Sequence, residues 1–249
     1  MSLRLRETYQ VQFDSIDFAG KMSLNGICNY MQIIAAHHAS NLGFNYYKNS
    51  TMPEYYWILS RVKYVIDTYP TWEDEIQIET YPGGCEKLFA VRLFDICDIE
   101  GKKLGYIIGD YILMDAAKKR PARIKGNTGS LAFLDFPYEG ESLPKLKVPR
   151  KGESYEVLNR ERRKAYYSEM DLNGHMNNAH YVRWTLDMLP LELLKEKEIS
   201  SLEINYNTSI TYGTEVEIIL TLDERDGYMV YGNSLDGETN YFAARVCLR

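Results

Sequence analysis

Asp171-Leu-Asn-Gly174-His-Met176 has a counterpart far upstream in the same chain, Asp17-Phe-Ala-Gly20-Lys-Met22. Asp, Gly and Met stand at the same spacing in both, and each stretch runs into a segment with helical periodicity. Duplication is the better account of such a match, so the chain reads as two copies of one plan. The differences between the copies then localise chemistry. Where the second has Asn173 and His175, the first has Ala19 and Lys21. If the lead-in is extended, alternation sends Asp171, Asn173 and His175 to one side. There a carboxylate, an amide and an imidazole would meet a helix N-terminus, whose N–H groups attract negative charge. These parts can activate a water and stabilise an oxyanion. One site per chain, hydrolysing an activated acyl group, is expected.

Outward from these stretches the copies share a layout. In the first, Tyr9–Phe13 alternates as a strand, and Ser23 is placed to cap a helix running to about Leu42, with Gly43 as its stop. Strand patterns follow at Tyr56–Ile66, Ile76–Tyr81, Leu88–Cys97 and Leu104–Met114, with Ile99-Glu-Gly101-Lys102 as a hairpin turn. Gly83-Gly84 reads as a further turn signal without the Lys-Ser/Thr of a phosphate loop. In the second copy a helix is expected over Asn178–Leu189, with Pro190 kinking it or opening another turn. Strands follow at Leu202–Ile210, Glu215–Leu222, Tyr228–Ser234 and Asn240–Leu248, with turns at Asp226-Gly227 and Asp236-Gly237. A helix with a strongly curved antiparallel sheet, repeated, is an α+β pair of tandem hotdog units. Residues 1–137 form the first, which lacks the polar set and is free to shape an acyl-chain pocket. Residues 138–152, rich in Pro, Gly and charge, read as a linker, and 153–249 form the second.

Composition narrows the function. With 45% apolar and 26% charged residues the chain is an ordinary globular protein, and its 21 tyrosines suit half-buried sheet surfaces. A net charge of −6 argues against nucleic acid or anionic membrane as a partner. The apolar stretch at Tyr106–Met114 is broken by Gly109 and Asp110, so no membrane insertion is expected. The first residues carry no apolar core of a secretory signal, and Cys28, Cys85, Cys97 and Cys247 show no paired spacing. A cytoplasmic protein with reduced thiols is expected. No cluster has zinc-ligand spacing, so neither metal nor cofactor is expected. His37, His38 and His180 fall on helix patterns as packing or surface residues, and Asn177 and Asn178 as caps. Basic residues gather at Lys118, Lys119, Arg120, Arg123 and Lys125, and again over Arg160–Lys164. Each cluster is a solvated face or a docking patch for an acidic partner.

Several runs together are more specific than any one of them. They are His38-Ala-Ser-Asn-Leu-Gly-Phe44, the segment Trp57-Ile-Leu-Ser-Arg61 through Asp67-Thr-Tyr-Pro70-Thr-Trp72-Glu-Asp, the strand Leu104–Met114 leading into Lys119-Arg120-Pro121, and Asp171-x-Asn173-x-His175-x-Asn177-Asn178. In this order and spacing the chain resembles the acyl-ACP thioesterases over nearly its whole length. The resemblance implies a double hotdog fold, often paired into larger assemblies, with which a homodimer is compatible. It implies hydrolysis of the thioester joining a fatty acyl chain to the phosphopantetheine arm of acyl carrier protein. Asp171, Asn173 and His175 match its catalytic motif, and the Lys118–Lys125 cluster becomes the docking surface for the acidic carrier. One position departs. The family commonly carries Glu three residues after a strand Tyr, sometimes followed by Cys; here Tyr206 is followed at those places by Ser209 and Ile210. The absent Cys argues against a Cys–His–Asn nucleophilic route, and Asp171 is left as the carboxylate base. Three alternatives stay open: an acyl-CoA thioesterase, a weakly catalytic acyl-thioester-binding module suggested by Ser209, and, more remotely, a dehydratase. The alternative for Asp171 is a turn or capping residue alone.

Overall fold

The two copies meet edge to edge in the middle of one sheet. The computed structural model describes residues 3–42, 54–124, 136–149, 153, 155–223 and 227–249; Gly43, Lys125, Gly152 and Asp226 lie outside the described residues. The first copy comprises β1 (Leu5–Gln10), α1 (Leu24–Asn41), β2 (Tyr55–Ile66), β3 (Glu75–Glu86), β4 (Phe89–Asp98), β5 (Lys103–Asp115) and β6 (Arg120–Pro121). The second comprises β7 (Val157–Lys164), α2 (Asn178–Asp187), α3 (Leu191–Glu196), β8 (Ile199–Tyr206), β9 (Glu215–Asp223), β10 (Gly227–Asn233) and β11 (Asn240–Leu248). The strand order is β1-β3-β4-β5-β2-β8-β11-β10-β9-β7, with β6 added to β5. Each half repeats the other in mirror order about the β2–β8 junction.

That junction is an internal pseudo-two-fold. Lys21 bridges Thr71 as His175 bridges Thr211, so the two threonines are equivalent. Counting back equally from each reaches Lys63 and Glu203, which pair directly in the ladder between β2 and β8. The equivalent residues carry opposite charges, with Lys63 Nζ 3.6 Å from Glu203 Oε1.

Both long helices lie on one face of the sheet. Ile27, Met31 and Ile34 of α1 and Val182 of α2 are sealed against Tyr64, Ile78, Phe94, Ile204 and Ile218. Full burial of such side chains contributes about 1.5–3 kcal/mol each before entropy is set against it. Ser23 caps α1 by accepting the Gly26 N–H at 3.1 Å. A Cβ on Gly26 would stand 2.7 Å from the Ser15 carbonyl oxygen, so the helix start and its lead-in need glycine to approach.

The opposite face is covered by residues 138–149 of the stretch expected as a linker, a strap laid across the junction. Leu143 packs with Val91 and Ile108 of the first copy, and Leu146 with Ile219, Met229 and Tyr231 of the second. Arg61 donates to the Leu143 carbonyl at 2.6 Å, while Asn205 accepts the Leu146 N–H at 2.7 Å and donates to Pro144 O at 3.3 Å. One side chain from each half of the junction thus holds the strap.

Further expectations are corrected, and two that were open are resolved. Gly83-Gly84 is a bulge inside β3, not its end, because the strap joins there: Cys85 N–H donates to Phe136 O at 2.8 Å, and a Cβ on Gly84 (φ +112°) would sit 2.8 Å from that oxygen. The first strand is Leu5–Gln10, and Phe13–Ser15 coil into a single 3-10 turn. In the second copy α2 stops at Asp187 and β8 at Tyr206, short of the expected ends, while Pro190 opens α3, one of the two roles expected of it. The basic run from Arg160 belongs to the edge strand β7, where Arg160 pairs with Glu217 at 2.9 Å and Arg163 with Asp187 at 2.7 Å. Charge on an edge strand discourages sheet-to-sheet association. Among the described residues no helix is long and apolar enough to cross a membrane.

Candidate active site

The Asp171 lead-in is not extended. Asp171 N–H donates to His175 O at 2.7 Å and Gly174 N–H to Asp171 O at 3.0 Å, closing a three-residue hairpin with Gly174 at φ +73°. The expectation of alternating side chains fails because the turn hydrogen bonds are local and a glycine takes the left-handed position. The Asp171 carboxylate is built into this turn. Its Oδ1 accepts the backbone N–H of Asn173 at 2.8 Å and of His175 at 3.2 Å. Oδ2 lies 3.5 Å from the Asn173 side-chain nitrogen. Asp171 and Asn173 are therefore neighbours through their side chains, whereas His175 reaches Asp171 through its main chain. Asn173 and His175 are exposed, and Asp171 half-buried.

The same turn exists in the first copy, bond for bond. Asp17 Oδ1 accepts from Ala19 N–H at 2.8 Å and Lys21 N–H at 3.1 Å, Asp17 N–H donates to Lys21 O at 2.7 Å, and Gly20 has φ +74°. A turn that forms equally well with Ala and Lys does not need Asn173 and His175. Those two side chains are the difference between the copies, while the aspartate is common to both.

Neighbouring elements fix the second turn in place. Met176 N–H donates to Ile210 O at 2.8 Å, and Ile210 N–H donates to the Tyr181 hydroxyl of α2 at 3.2 Å. Ile210 is thus held between turn and helix, and the exposed Ser209 comes with it to the margin of the motif. Burial pushes the Tyr181 hydroxyl up to about 12, so it accepts the Ile210 N–H as a neutral phenol. Glu169 braces the other side, accepting from Trp184 Nε1 at 2.8 Å and Tyr166 N–H at 2.8 Å, while its carbonyl accepts Asn177 N–H at 2.8 Å. Burial also moves His180, one turn into α2, below the ordinary imidazole range.

The helix end is less open than expected. Asn177 is the cap, accepting the Ala179 N–H on its side chain at 2.9 Å and the His180 N–H on its carbonyl at 2.9 Å. Asn178 N–H is the remaining amide of the first turn. From the other copy, Gln32 of α1 donates to Asn177 Oδ1 at 3.1 Å. The first copy's helix therefore abuts the second copy's turn. Nothing in the sequence signals Gln32; Glu169 is readable as the residue three places after Tyr166 in a capping box.

Of the sequence-predicted docking residues, Lys118 and Lys119 lie in the β5–β6 turn, Arg120 in β6 and Arg123 just beyond it. All four are exposed, with Lys119 at φ +52° and Lys118 Nζ paired to Asp115 Oδ2 at 2.9 Å. His38 is buried and shares a 2.8 Å contact between its Nδ1 and Arg92 Nη1, and His37 meets Glu7 at 2.9 Å. Neither belongs to the turn.

Comparison with known proteins matches both halves. Residues 2–130 fit the family model of the acyl-ACP thioesterase N-terminal domain, and residues 152–245 that of the C-terminal domain. The oleoyl-acyl carrier protein thioesterase 2 of Arabidopsis thaliana, a chloroplastic protein, is 25% identical over 234 residues, covering 87% of this chain and 62% of the relative. The palmitoyl-acyl carrier protein thioesterase of Cuphea hookeriana is 24% identical, covering 90% and 56%. The chain thus spans between half and two thirds of the length of these relatives. Among solved structures, an acyl-ACP thioesterase from Bacteroides thetaiotaomicron superimposes with a TM-score of 0.85 at 24% identity, over the whole of both chains. The 12:0-ACP thioesterase from Umbellularia californica gives 0.83 at 20% identity, over 100% of this chain and 98% of that one. Those likenesses place the fold as a double hotdog, and the two family matches together span both repeats: the chain belongs to the acyl-ACP thioesterase family.

Proposed function

We propose that the protein hydrolyses the thioester of fatty acyl groups carried on acyl carrier protein, releasing the free acid. The observation that carries this reading is the contrast between the two turns. Identical hydrogen bonds hold both, and only the second bears an amide and an imidazole, at Asn173 and His175. A thioester carbonyl is already activated, so a positioned base and an oxyanion site suffice without a cofactor.

In this mechanism Asp171 acts through Oδ2, since Oδ1 is taken by the turn, and with His175 it orients and deprotonates the attacking water. Asn173 positions that water or the substrate. The oxyanion meets the positive end of α2, where Asn178 N–H is the first-turn amide not taken by Asn177. Proton return to the departing pantetheine thiolate completes the cycle. The acyl chain runs toward the first copy, a direction that the contact of Gln32 with Asn177 supports. We assign 138–152 to the connecting strap and 153–249 to the catalytic unit. Lys119, Arg120 and Arg123, with Lys118 partly neutralised, form the patch that receives the acidic carrier; no nucleic acid or membrane is required. The free thiols of Cys28, Cys97 and Cys247 support a reducing compartment, the cytoplasm in our reading.

The test is release of free thiol from acyl carrier substrates of several chain lengths, run beside Asp171→Ala. Turnover by the native chain and its loss in the variant support the reading. Binding of acyl thioesters without release would instead favour a binding module, to which Ser209, in place of the family acid, already points.

A further inference from the structure

The turn that lacks the catalytic set has a cavity of its own. About 770 Å³ opens between Asp17–Leu24 of the first copy and the end of α2 with α3 of the second. That volume lies within the ~300–1,000 Å³ usual for small-molecule sites. Met22, Leu24, Leu186, Leu189 and Leu194 supply apolar wall from both copies. Lys21 stands on its rim at the place His175 takes in the other turn, and Ala19 at the place of Asn173.

We propose that this cavity is a second, non-catalytic site that holds a free long-chain carboxylic acid. Replacing an imidazole by an ammonium removes a group that can exchange a proton near neutral pH and leaves a fixed positive charge. Such a rim favours an anion over a neutral thioester. Lys21 and Arg249 both pair with Glu198, the latter at 2.9 Å, so two cations share one carboxylate. Of the other acids of the lining, Asp187 is paired with Arg163 at 2.7 Å, while Asp17 keeps its charge and turns its Oδ1 to the amides of its own turn. Lys195, Glu196 and Lys197 also line the cavity, with Lys195 paired to Glu192 at 2.8 Å. An aliphatic chain fits the leucine walls, and its carboxylate fits beside Lys21.

The choice of ligand class rests on the thioesterase reading, because a fatty acid is that reaction's product; the cavity and its charge do not. The experiment is calorimetric titration of the full chain with octanoate, decanoate and dodecanoate, with thiol release measured on the same samples. Binding should tighten ~3–4-fold per added methylene. In Leu194→Trp, which fills the cavity, one bound dodecanoate per chain should be lost, and in Lys21→Met the same site should weaken ~5-fold or more. Thiol release should stay within about twofold in both, and Lys21→Met carries the test if the tryptophan variant fails to fold. No binding by the native chain, or an unchanged stoichiometry and affinity in the folded variants, overturns the proposal. Binding without thiol release would sink the thioesterase reading alone, and release without binding this inference alone.

Discussion

Asp17 and Asp171 hold their turns in the same way, since each Oδ1 accepts the N–H of the residue two places on at 2.8 Å, and of the residue four places on at 3.1 and 3.2 Å. Only the second has an amide side chain beside its other oxygen. The pair separates what a turn needs from what chemistry needs. Asp17→Ala should cost about 0.5–1.5 kcal/mol through the lost turn hydrogen bonds, whose amides water can reach, and leave turnover per folded molecule unchanged. Chemical denaturation alongside thiol release checks this; a large fall in turnover would mean that the first turn also serves catalysis.

Asn205 holds the strap with both ends of its amide. Asn205→Leu should destabilise by about 1–3 kcal/mol, since the buried Leu146 N–H and Pro144 carbonyl lose their partner. Urea unfolding is the measurement, and a neutral result would show that Leu143 and Leu146 hold the strap unaided.

Asp110 is buried, and burial raises its carboxyl to about 6 against the attraction of Arg61. Between about pH 4 and 6 the folded chain therefore keeps a proton that the unfolded chain has lost, so this group lowers stability as pH rises through that window. His38, lowered to about 4 by burial and Arg92, acts oppositely over roughly pH 4–6.5, where the unfolded chain binds the extra proton. The difference between the native chain and Asp110→Asn isolates the first trend. The variant should match native stability near pH 4 and exceed it by roughly 1–3 kcal/mol at pH 7.5. A gap that is constant across pH would contradict the assignment.

Lys119→Glu with Arg120→Glu should raise KM for an acyl carrier substrate several-fold and scarcely alter hydrolysis of a short acyl-CoA. A local patch must supply this attraction, because the chain as a whole is negative. Equal changes on both substrates would remove the docking role.

The parts of the fold that are legible in sequence are those written in local chemistry. Ser23 and Asn177 announce their caps, Gly101 and Gly237 their turns, and the paired Asp-x-x-Gly-x-Met stretches the repeat. What sequence reasoning misses depends on contacts distant along the chain. Gly83-Gly84 looks like a turn until Phe136 is laid against it, and the charged residues of β7 stay open between a solvated face and a patch until Glu217 and Asp187 pair with them. The Pro-rich segment looks free because Arg61 and Asn205, which bind it, lie far away in the chain. At the candidate site the residue types are readable but the turn is not, since the alternation of a strand breaks down where Gly174 closes a hairpin. Gln32 carries no signal because its partner belongs to the other repeat.

The most direct measurement is thiol release from a dodecanoyl carrier substrate by Asn173→Ala with His175→Lys, which rewrites the second turn in the chemistry of the first. Because Ala19 and Lys21 already occupy that backbone, the variant should fold with native stability and lose turnover by ~10²–10⁴-fold. A folded variant that still released thiol at near-native rate would show that the imidazole and amide of the Asp171 turn are not where the ester is cleaved.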